Sequence, residues 1–158
     1  MKVNFVRLVV SVVICELAGI IGSFFTMPSI PTWYASINKP EFIPPNWVFA
    51  PVWTTLFLLM GISLYMIWDK GLNKKENKTA LYVFGVQLVL NIIWSALFFG
   101  LQNPLAAFIE IIVLWVAILA SIIFFYRISK WSGIIMIPYI LWVSFAAFLT
   151  YSVWVLNV

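Results

Sequence analysis

Five long apolar runs dominate this chain, and no other feature of the sequence constrains its fold so strongly. They occupy positions 5–27, 47–68, 80–101, 105–126 and 134–156. Each run approaches the roughly 20 apolar residues that a helix needs to cross the hydrocarbon core of a bilayer. The runs are continuous rather than alternating, which favours helices over the strands of a membrane barrel. The sequence therefore predicts an all-α integral membrane protein, a single domain over residues 1–158 built as a bundle of five transmembrane helices.

Composition supports lipid as the solvent for most of this surface. The 158 residues are 65% hydrophobic and 9% charged, whereas a soluble domain is about 45–50% apolar and about 25% charged. The first run is longer than the 7–15 apolar residues of a secretory signal and lacks a small-residue cleavage site, so we expect it to remain as a span. The basic residues fall between the runs rather than along a stripe, which predicts no nucleic-acid partner.

The placement of basic residues predicts the orientation in the membrane. With five spans, the N-terminus shares one side with the second and fourth loops. That side carries eight of the nine basic residues, namely Lys2, Arg7, Lys70, Lys74, Lys75, Lys78, Arg127 and Lys130. The other side carries Lys39. The positive-inside rule therefore predicts a cytoplasmic N-terminus and an outside C-terminus.

The loop at positions 28–46 is long for a connection within a compact bundle. It contains five of the eight prolines, Pro28, Pro31, Pro40, Pro44 and Pro45. Because proline fixes φ, such a segment has few conformations, and long loops of this kind are often functional. We expect loop 28–46 to be a structured lid over a pocket.

The residue inventory narrows the possible chemistry. The chain has no histidine and one cysteine, Cys15. This removes the commonest general base, metal ligand and axial haem ligand, so we expect no metal site. Glu16 and Glu110 lie inside apolar runs, and an ionisable residue at membrane depth is a functional candidate.

The third run carries a polar and aromatic stripe at helical spacing, formed by Gln87, Asn91, Trp94 and Phe98. Amides are costly against lipid, so this stripe should face the bundle interior. It could make hydrogen bonds between helices, or it could form one wall of a cavity. The spacing favours neither interpretation.

Two further runs carry aromatic stripes. Tyr139, Trp142, Ala146 and Leu149 share one face of the fifth run, where the small alanine beside large rings predicts a recess. Trp47, Ala50, Trp53 and Phe57 form a comparable stripe in the second run, and Pro51 and Pro138 are candidate bends. In the first run, Ala18, Gly19, Gly22 and Ser23 predict close helix packing, either within one chain or across a dimer.

These residues resemble the TspO/MBR family of tryptophan-rich sensory and translocator proteins. The resemblance covers nearly the whole chain in register. It is carried by Trp33, Tyr34, Ala35, Lys39, Pro40, Pro44, Pro45, Trp47, Pro51, Val52, Trp53, Thr54, Thr55, Leu56, Met60, Gly61, Gln87, Leu88, Asn91, Trp94, Phe98, Phe99, Pro138, Tyr139, Trp142, Phe145 and Ala146.

The resemblance implies a five-helix membrane protein, often a homodimer, that binds porphyrins, sterols and isoquinoline or benzodiazepine-type drugs in a cavity beneath the first loop. A bacterial plasma membrane is the expected location. The resemblance gives most of the candidate ligand-binding residues and places Trp47 at the rim of the cavity, and the stripe of the third run adds Gln87 and Phe98. The full set is Trp33, Trp47, Ala50, Trp53, Gln87, Asn91, Trp94, Phe98, Trp142, Ala146 and Leu149. The proposed cholesterol motif of the animal proteins needs a Lys or Arg shortly after the C-terminal Tyr, and residues 152–158 contain none. Sterol transport is therefore the weakest implication.

The sequence favours a membrane receptor or sensor for a flat tetrapyrrole of the protoporphyrin type. No cofactor is required, since porphyrin itself is the ligand or the substrate. One alternative is an enzyme that degrades porphyrin with light and oxygen, for which Trp53 and Trp142 are the candidate catalytic residues. The other is a tetrapyrrole or sterol transporter, although no inverted repeat accompanies the candidate bends.

Overall fold

Seven helices follow one another along residues 3–158, the part of the chain that this computed structural model describes. They are α1 (Phe5–Ser29), α2 (Trp33–Ser36), α3 (Asn46–Asp69), α4 (Lys75–Ser95), α5 (Pro104–Ile128), α6 (Lys130–Ile135) and α7 (Ile137–Leu156). A π-helical segment, Ala96–Gly100, prolongs α4. Five stretches are long and apolar enough to cross a membrane: α1, α3, α4 with its π segment, α5, and α6 with α7. The all-α membrane fold is thus confirmed, while Lys2 lies outside the described residues.

Local signals explain where two of the helices begin. The Asn4 Oδ1 atom accepts a hydrogen bond from the Arg7 amide at 3.1 Å, and the Asn103 Oδ1 atom accepts one from the Ala106 amide at 3.0 Å. Each bond satisfies an amide that has no partner within its own helix. Pro104 occupies the first turn of α5, where its missing N–H is not needed. Both helices begin within one residue of the predicted boundary.

The predicted third and fifth spans are too short at their polar ends. The third begins at Lys75 rather than at position 80, and the fifth begins at Lys130 rather than at position 134. Ser129 alone separates α5 from α6. Helical hydrogen bonding needs no apolar side chains, so a helix continues beyond the apolar run that places it in the bilayer. Pro138 lies in the first turn of α7, just after the break at Met136.

The main buried apolar cluster draws its residues from α1, α3, α4, α5 and α7. The stacked rings of Phe84 and Phe125, 5.2 Å apart, join α4 to α5. Ser63 and Ser132 tie α3 to α6, because the Ser63 hydroxyl donates to the Ser132 carbonyl at 2.7 Å and the Ser132 hydroxyl donates to the Ser63 carbonyl at 3.0 Å. These polar groups satisfy one another where no water is at hand.

The small residues of α1 pack against other helices of the same chain. A Cβ atom added to Gly19 would lie 2.6 Å from the Phe57 ring on α3, and one added to Gly22 would lie 3.1 Å from the Ser95 hydroxyl on α4. Such contacts are possible only because glycine lacks a side chain. Of the two packing modes that the sequence left open for these glycines, the structure shows the one within the monomer.

The lid is ordered and fastened to the bundle. It comprises residues 30–45, because α1 and α3 each extend into the predicted loop. The Lys39 ammonium group donates to the carbonyls of Tyr34 at 2.6 Å and Ile37 at 3.0 Å, so it folds the lid back on itself. The Phe42 ring stacks on Phe148 of α7 at 5.2 Å.

Candidate ligand-binding cavity

A cavity of about 520 Å³ lies beneath the lid, among α1, α3, α4 and α7. This volume falls within the range of about 300–1,000 Å³ that is usual for small-molecule sites. Eight of the eleven candidate residues line it: Ala50, Trp53, Asn91, Trp94, Phe98, Trp142, Ala146 and Leu149.

Three candidate residues lie elsewhere. Trp33 packs its ring edge-on against Phe98, with the ring centroids 5.5 Å apart, and stands behind the cavity wall. Trp47 is 74% exposed at the start of α3, where its indole faces away from the bundle. Gln87 is fully buried one turn below Asn91 and does not reach the cavity. The rim position expected for Trp47 and the wall position expected for Gln87 are therefore not observed.

Tyr139 connects the two amides of the α4 stripe. The Asn91 amide donates to the Tyr139 hydroxyl at 2.9 Å, and this hydroxyl donates to the Gln87 Oε1 atom at 2.9 Å. Both interpretations of the stripe thus apply, and Asn91 fulfils both. Gln87 joins α4 to α7 inside the core, whereas Asn91 also lines the cavity.

The cavity wall is built from packed aromatic rings. Trp94 stacks on Phe98 with centroids 5.2 Å apart and an interplanar angle of 13°. Trp53 is tilted against Phe57 at 5.7 Å, and Trp142 meets Phe49 edge-on at 5.9 Å. Each ring is therefore held in place by a neighbour. Such a wall offers rigid, flat apolar surface to a ligand.

Two indole N–H groups at the cavity have no partner. The Nε1 atoms of Trp94 and Trp142 are buried, and neither donates a hydrogen bond to any residue between 3 and 158. By contrast, Trp115, which does not line the cavity, donates to the Ser144 hydroxyl at 2.8 Å. A buried N–H without an acceptor is costly and uncommon in native structures. Because neither nitrogen is accessible, both indoles would have to turn before a bound molecule could accept from them.

Helix α1 contributes to the cavity, which its sequence pattern did not predict. Glu16, Gly19, Ser23 and Thr26 all line the cavity. The small and polar residues of α1 follow helical spacing, but that pattern was interpreted only as a packing motif. Of the two intramembrane carboxylates, Glu16 thus lies at the cavity. Glu110 is buried on α5 away from it, and neither of its carboxyl oxygens has a partner among the described residues.

The lid supplies two cavity residues that were not candidates, Tyr34 and Ile43. The Tyr34 ring is buried against Phe98 and Phe99, with centroid distances of 6.3 and 5.6 Å. Burial raises the pKa of the Tyr34 phenol to about 12, so this group stays neutral at physiological pH. The charge of the lid near this ring is that of Lys39, whose ammonium nitrogen lies 5.0 Å from the centroid of the Tyr34 ring.

Comparisons with known proteins agree with this architecture. The sequence profile of the TspO/MBR family matches residues 11–155. The chain belongs to the TspO/MBR family. The tryptophan-rich protein TspO of Archaeoglobus fulgidus is 44% identical over 154 residues, which cover 98% of this chain and 99% of that protein. The translocator protein of Bos taurus is 34% identical over 88% of this chain and 83% of its own length.

The chain is also similar to a third member of the TspO/MBR family. The tryptophan-rich sensory protein of Cereibacter sphaeroides is 30% identical over 79% of this chain and 77% of its own length. Membership of the TspO/MBR family, together with the five spans, assigns the chain to membrane proteins of the sensor or translocator class.

Proposed function

We propose that this chain is a membrane receptor or sensor that binds a porphyrin of the protoporphyrin type in the cavity beneath the lid. Isoquinoline and benzodiazepine-type compounds, which are also flat and apolar, would compete for the same space. The observation that carries the proposal is the aromatic cavity of about 520 Å³, which Trp53, Trp94 and Trp142 line.

The chemistry of the wall suits such a ligand. The rings of Trp53, Trp94 and Trp142 offer flat surfaces for the macrocycle. The polar groups are few, as expected of a site that fixes the orientation of an apolar molecule. After a turn of their rings, the N–H groups of Trp94 and Trp142, which have no partner among residues 3–158, could donate to the carboxylates at one edge of the porphyrin. A flat ligand with an anionic edge therefore suits both the aromatic wall and the indole N–H donors.

Equilibrium titration tests the proposal. Replacing Trp53 or Trp142 with alanine should weaken porphyrin binding by about 1–3 kcal/mol, judged from the stacking of bases on aromatic side chains. Quenching of fluorescence in lipid nanodiscs gives the dissociation constants. Trp47→Ala is the matched control, because that exposed indole does not line the cavity. The proposal fails if the cavity variants bind as tightly as the control.

We also propose that the lid faces the outside of a plasma membrane and that the N-terminus is cytoplasmic. The support is the distribution of basic residues, eight on one side and Lys39 on the other. A membrane-impermeant maleimide tests this orientation with cysteines introduced at Asn73 in the α3–α4 loop and at Glu41 in the lid. In intact cells only the lid cysteine should react.

The homodimer that the resemblance implies remains a proposal as well. Gly19 and Gly22 already pack on α3 and α4, so a second copy must use another face of the bundle. Mass photometry in nanodiscs would measure the oligomeric state. Gly19 is unsuitable for disrupting a dimer, since changing it would disturb the monomer.

A further inference from the structure

Helices α1 and α3 touch most closely at mid-membrane and towards the end remote from the lid. A Cβ atom added to Gly61 of α3 would lie 2.6 Å from the backbone of Val12, and Gly19 of α1 meets Phe57 near the middle of both helices. From mid-membrane to the end remote from the lid, glycine allows the two helices to approach each other directly.

Nearer the lid, α1 packs on α4 instead. Gly22 faces the Ser95 hydroxyl of α4, and the Phe25 ring lies against Gly100, where an added Cβ atom would be 3.0 Å away. The upper half of α1 thus follows α4 and its π segment. Since α3 is held at the other side of the cavity, α1 and α3 diverge towards the lid.

The cavity reaches the outer surface of the protein through this divergence. Ile20 and Met27 of α1 line the cavity and yet are 51% and 69% exposed. Ala50 and Thr54 of α3 also line it and are exposed. All four lie within membrane-spanning helices, so the surface that they reach is in contact with lipid. We call this opening, framed by Ile20, Met27, Ala50 and Thr54, the lateral portal.

The lid, in contrast, is held closed by hydrogen bonds. Asn38 is joined to Asn157 of α7 by two hydrogen bonds of 2.9 Å each, and Lys39 holds the lid carbonyls of Tyr34 and Ile37. A path through the lid would require these contacts to break. A path through the lateral portal would require only the movement of exposed side chains.

We propose that ligand reaches the cavity from the hydrocarbon of the bilayer, through the lateral portal between α1 and α3, while the lid stays closed. This inference rests on the proposed function. It restricts the ligand to molecules that dissolve in the membrane before they bind. Glu16 of α1 also lines the cavity that such a molecule enters.

The test uses two matched pairs of variants in the full chain. Ile20→Trp and Thr54→Trp narrow the portal. Ile21→Trp and Thr55→Trp add the same bulk at neighbouring exposed positions that do not line the cavity. Each variant is reconstituted in phosphatidylcholine nanodiscs, and binding of protoporphyrin already dissolved in the bilayer is followed by stopped-flow fluorescence.

The portal variants should slow association by about tenfold relative to their controls, and they should slow dissociation as well. A disulfide between cysteines at positions 38 and 157, which locks the lid, should leave both rates unaltered. Cys15 is fully buried and does not compete for this disulfide.

Two results would overturn the inference. One is an association rate of the portal variants that matches the rate of their controls, and the other is slow association caused by the locked lid. If the unmodified chain shows no saturable quenching, the proposed function itself is wrong and the portal has no ligand to admit.

Discussion

Asn38 and Asn157, which are 119 residues apart, bind each other through a reciprocal pair of hydrogen bonds. The Asn38 amide N–H donates to the Asn157 Oδ1 atom at 2.9 Å, and the Asn157 Nδ2 atom donates to the Asn38 carbonyl at 2.9 Å. The Asn38 side chain adds a third bond, to the Leu156 carbonyl at 3.2 Å. The end of α7 therefore serves as the anchor of the lid.

Asn157→Ala should loosen the lid without unfolding the bundle. A hydrogen bond contributes about 1 kcal/mol, so the lid amides should exchange with deuterium several-fold faster, while exchange in the cores of α3 and α5 stays the same. Ser152→Ala is the control, because the hydroxyl of Ser152 bonds only to Phe148 in its own helix. Equal exchange rates in the lids of both variants would show that this amide pair does not anchor the lid.

Tyr139→Phe should destabilise the bundle by about 1–2 kcal/mol, because it leaves the Gln87 Oε1 atom buried without a donor. The midpoint of thermal unfolding in detergent micelles measures the change. Tyr82→Phe removes a hydroxyl from a side chain that is 75% exposed, and it should have no effect. An equal midpoint for both variants would mean that the buried network contributes nothing to stability.

Gly61→Ala should be strongly destabilising, since the new methyl group would lie 2.6 Å from the Val12 backbone, which has to shift. Forcing extra atoms into a packed interface costs about 1–3 kcal/mol. Gly85→Ala makes the same chemical change on α4, where the added atom meets nothing within 4 Å. That control should be neutral or slightly stabilising, because alanine is the better helix former. Similar unfolding midpoints would contradict the close packing of α1 on α3.

Trp94→Phe and Trp142→Phe should separate the role of the indole donors from that of the rings. Each change keeps an aromatic ring and removes an N–H that has no partner in the described chain. A hydrogen bond to a charged group contributes about 1.5–3 kcal/mol, so affinity for a porphyrin diacid should fall at least about tenfold. Affinity for its dimethyl ester should fall much less. The same loss for both ligands would remove the donors from the proposed recognition.

The stripe on α4 shows what a sequence pattern can predict and what it cannot. Helical spacing correctly placed Gln87 and Asn91 on one inward face, but it could not decide which of them meets the cavity. The neighbouring helices decide this, because Tyr139 of α7 and Met60 of α3 contact the buried Gln87 side chain, whereas Asn91 lies one turn nearer the lid and lines the cavity. A pattern within one helix contains no information about the height at which a neighbouring helix presents its side chains.

The tryptophans of α3 show a second limit of sequence patterns. Trp47 and Trp53 were assigned to one stripe, and yet Trp53 lines the cavity while Trp47 is exposed, because six residues of α-helix turn the two side chains about 120° apart. The contribution of Gly19 and Ser23 to the cavity was not predicted, since small residues on α1 indicate close packing equally well where they touch another helix and where they leave a space.

The sequence by itself determined that the chain forms five membrane-crossing helices joined by short loops and one proline-rich lid. Hydrocarbon offers no partners for backbone amides and carbonyls, so a long apolar run has to satisfy them within its own helix. Only the tertiary structure decided that α1 leaves α3 to follow α4, and hence where the cavity lies and where it opens. The closest approach of two helices depends on the side chains of both, through contacts such as Gly61 with Val12 and Gly22 with Ser95.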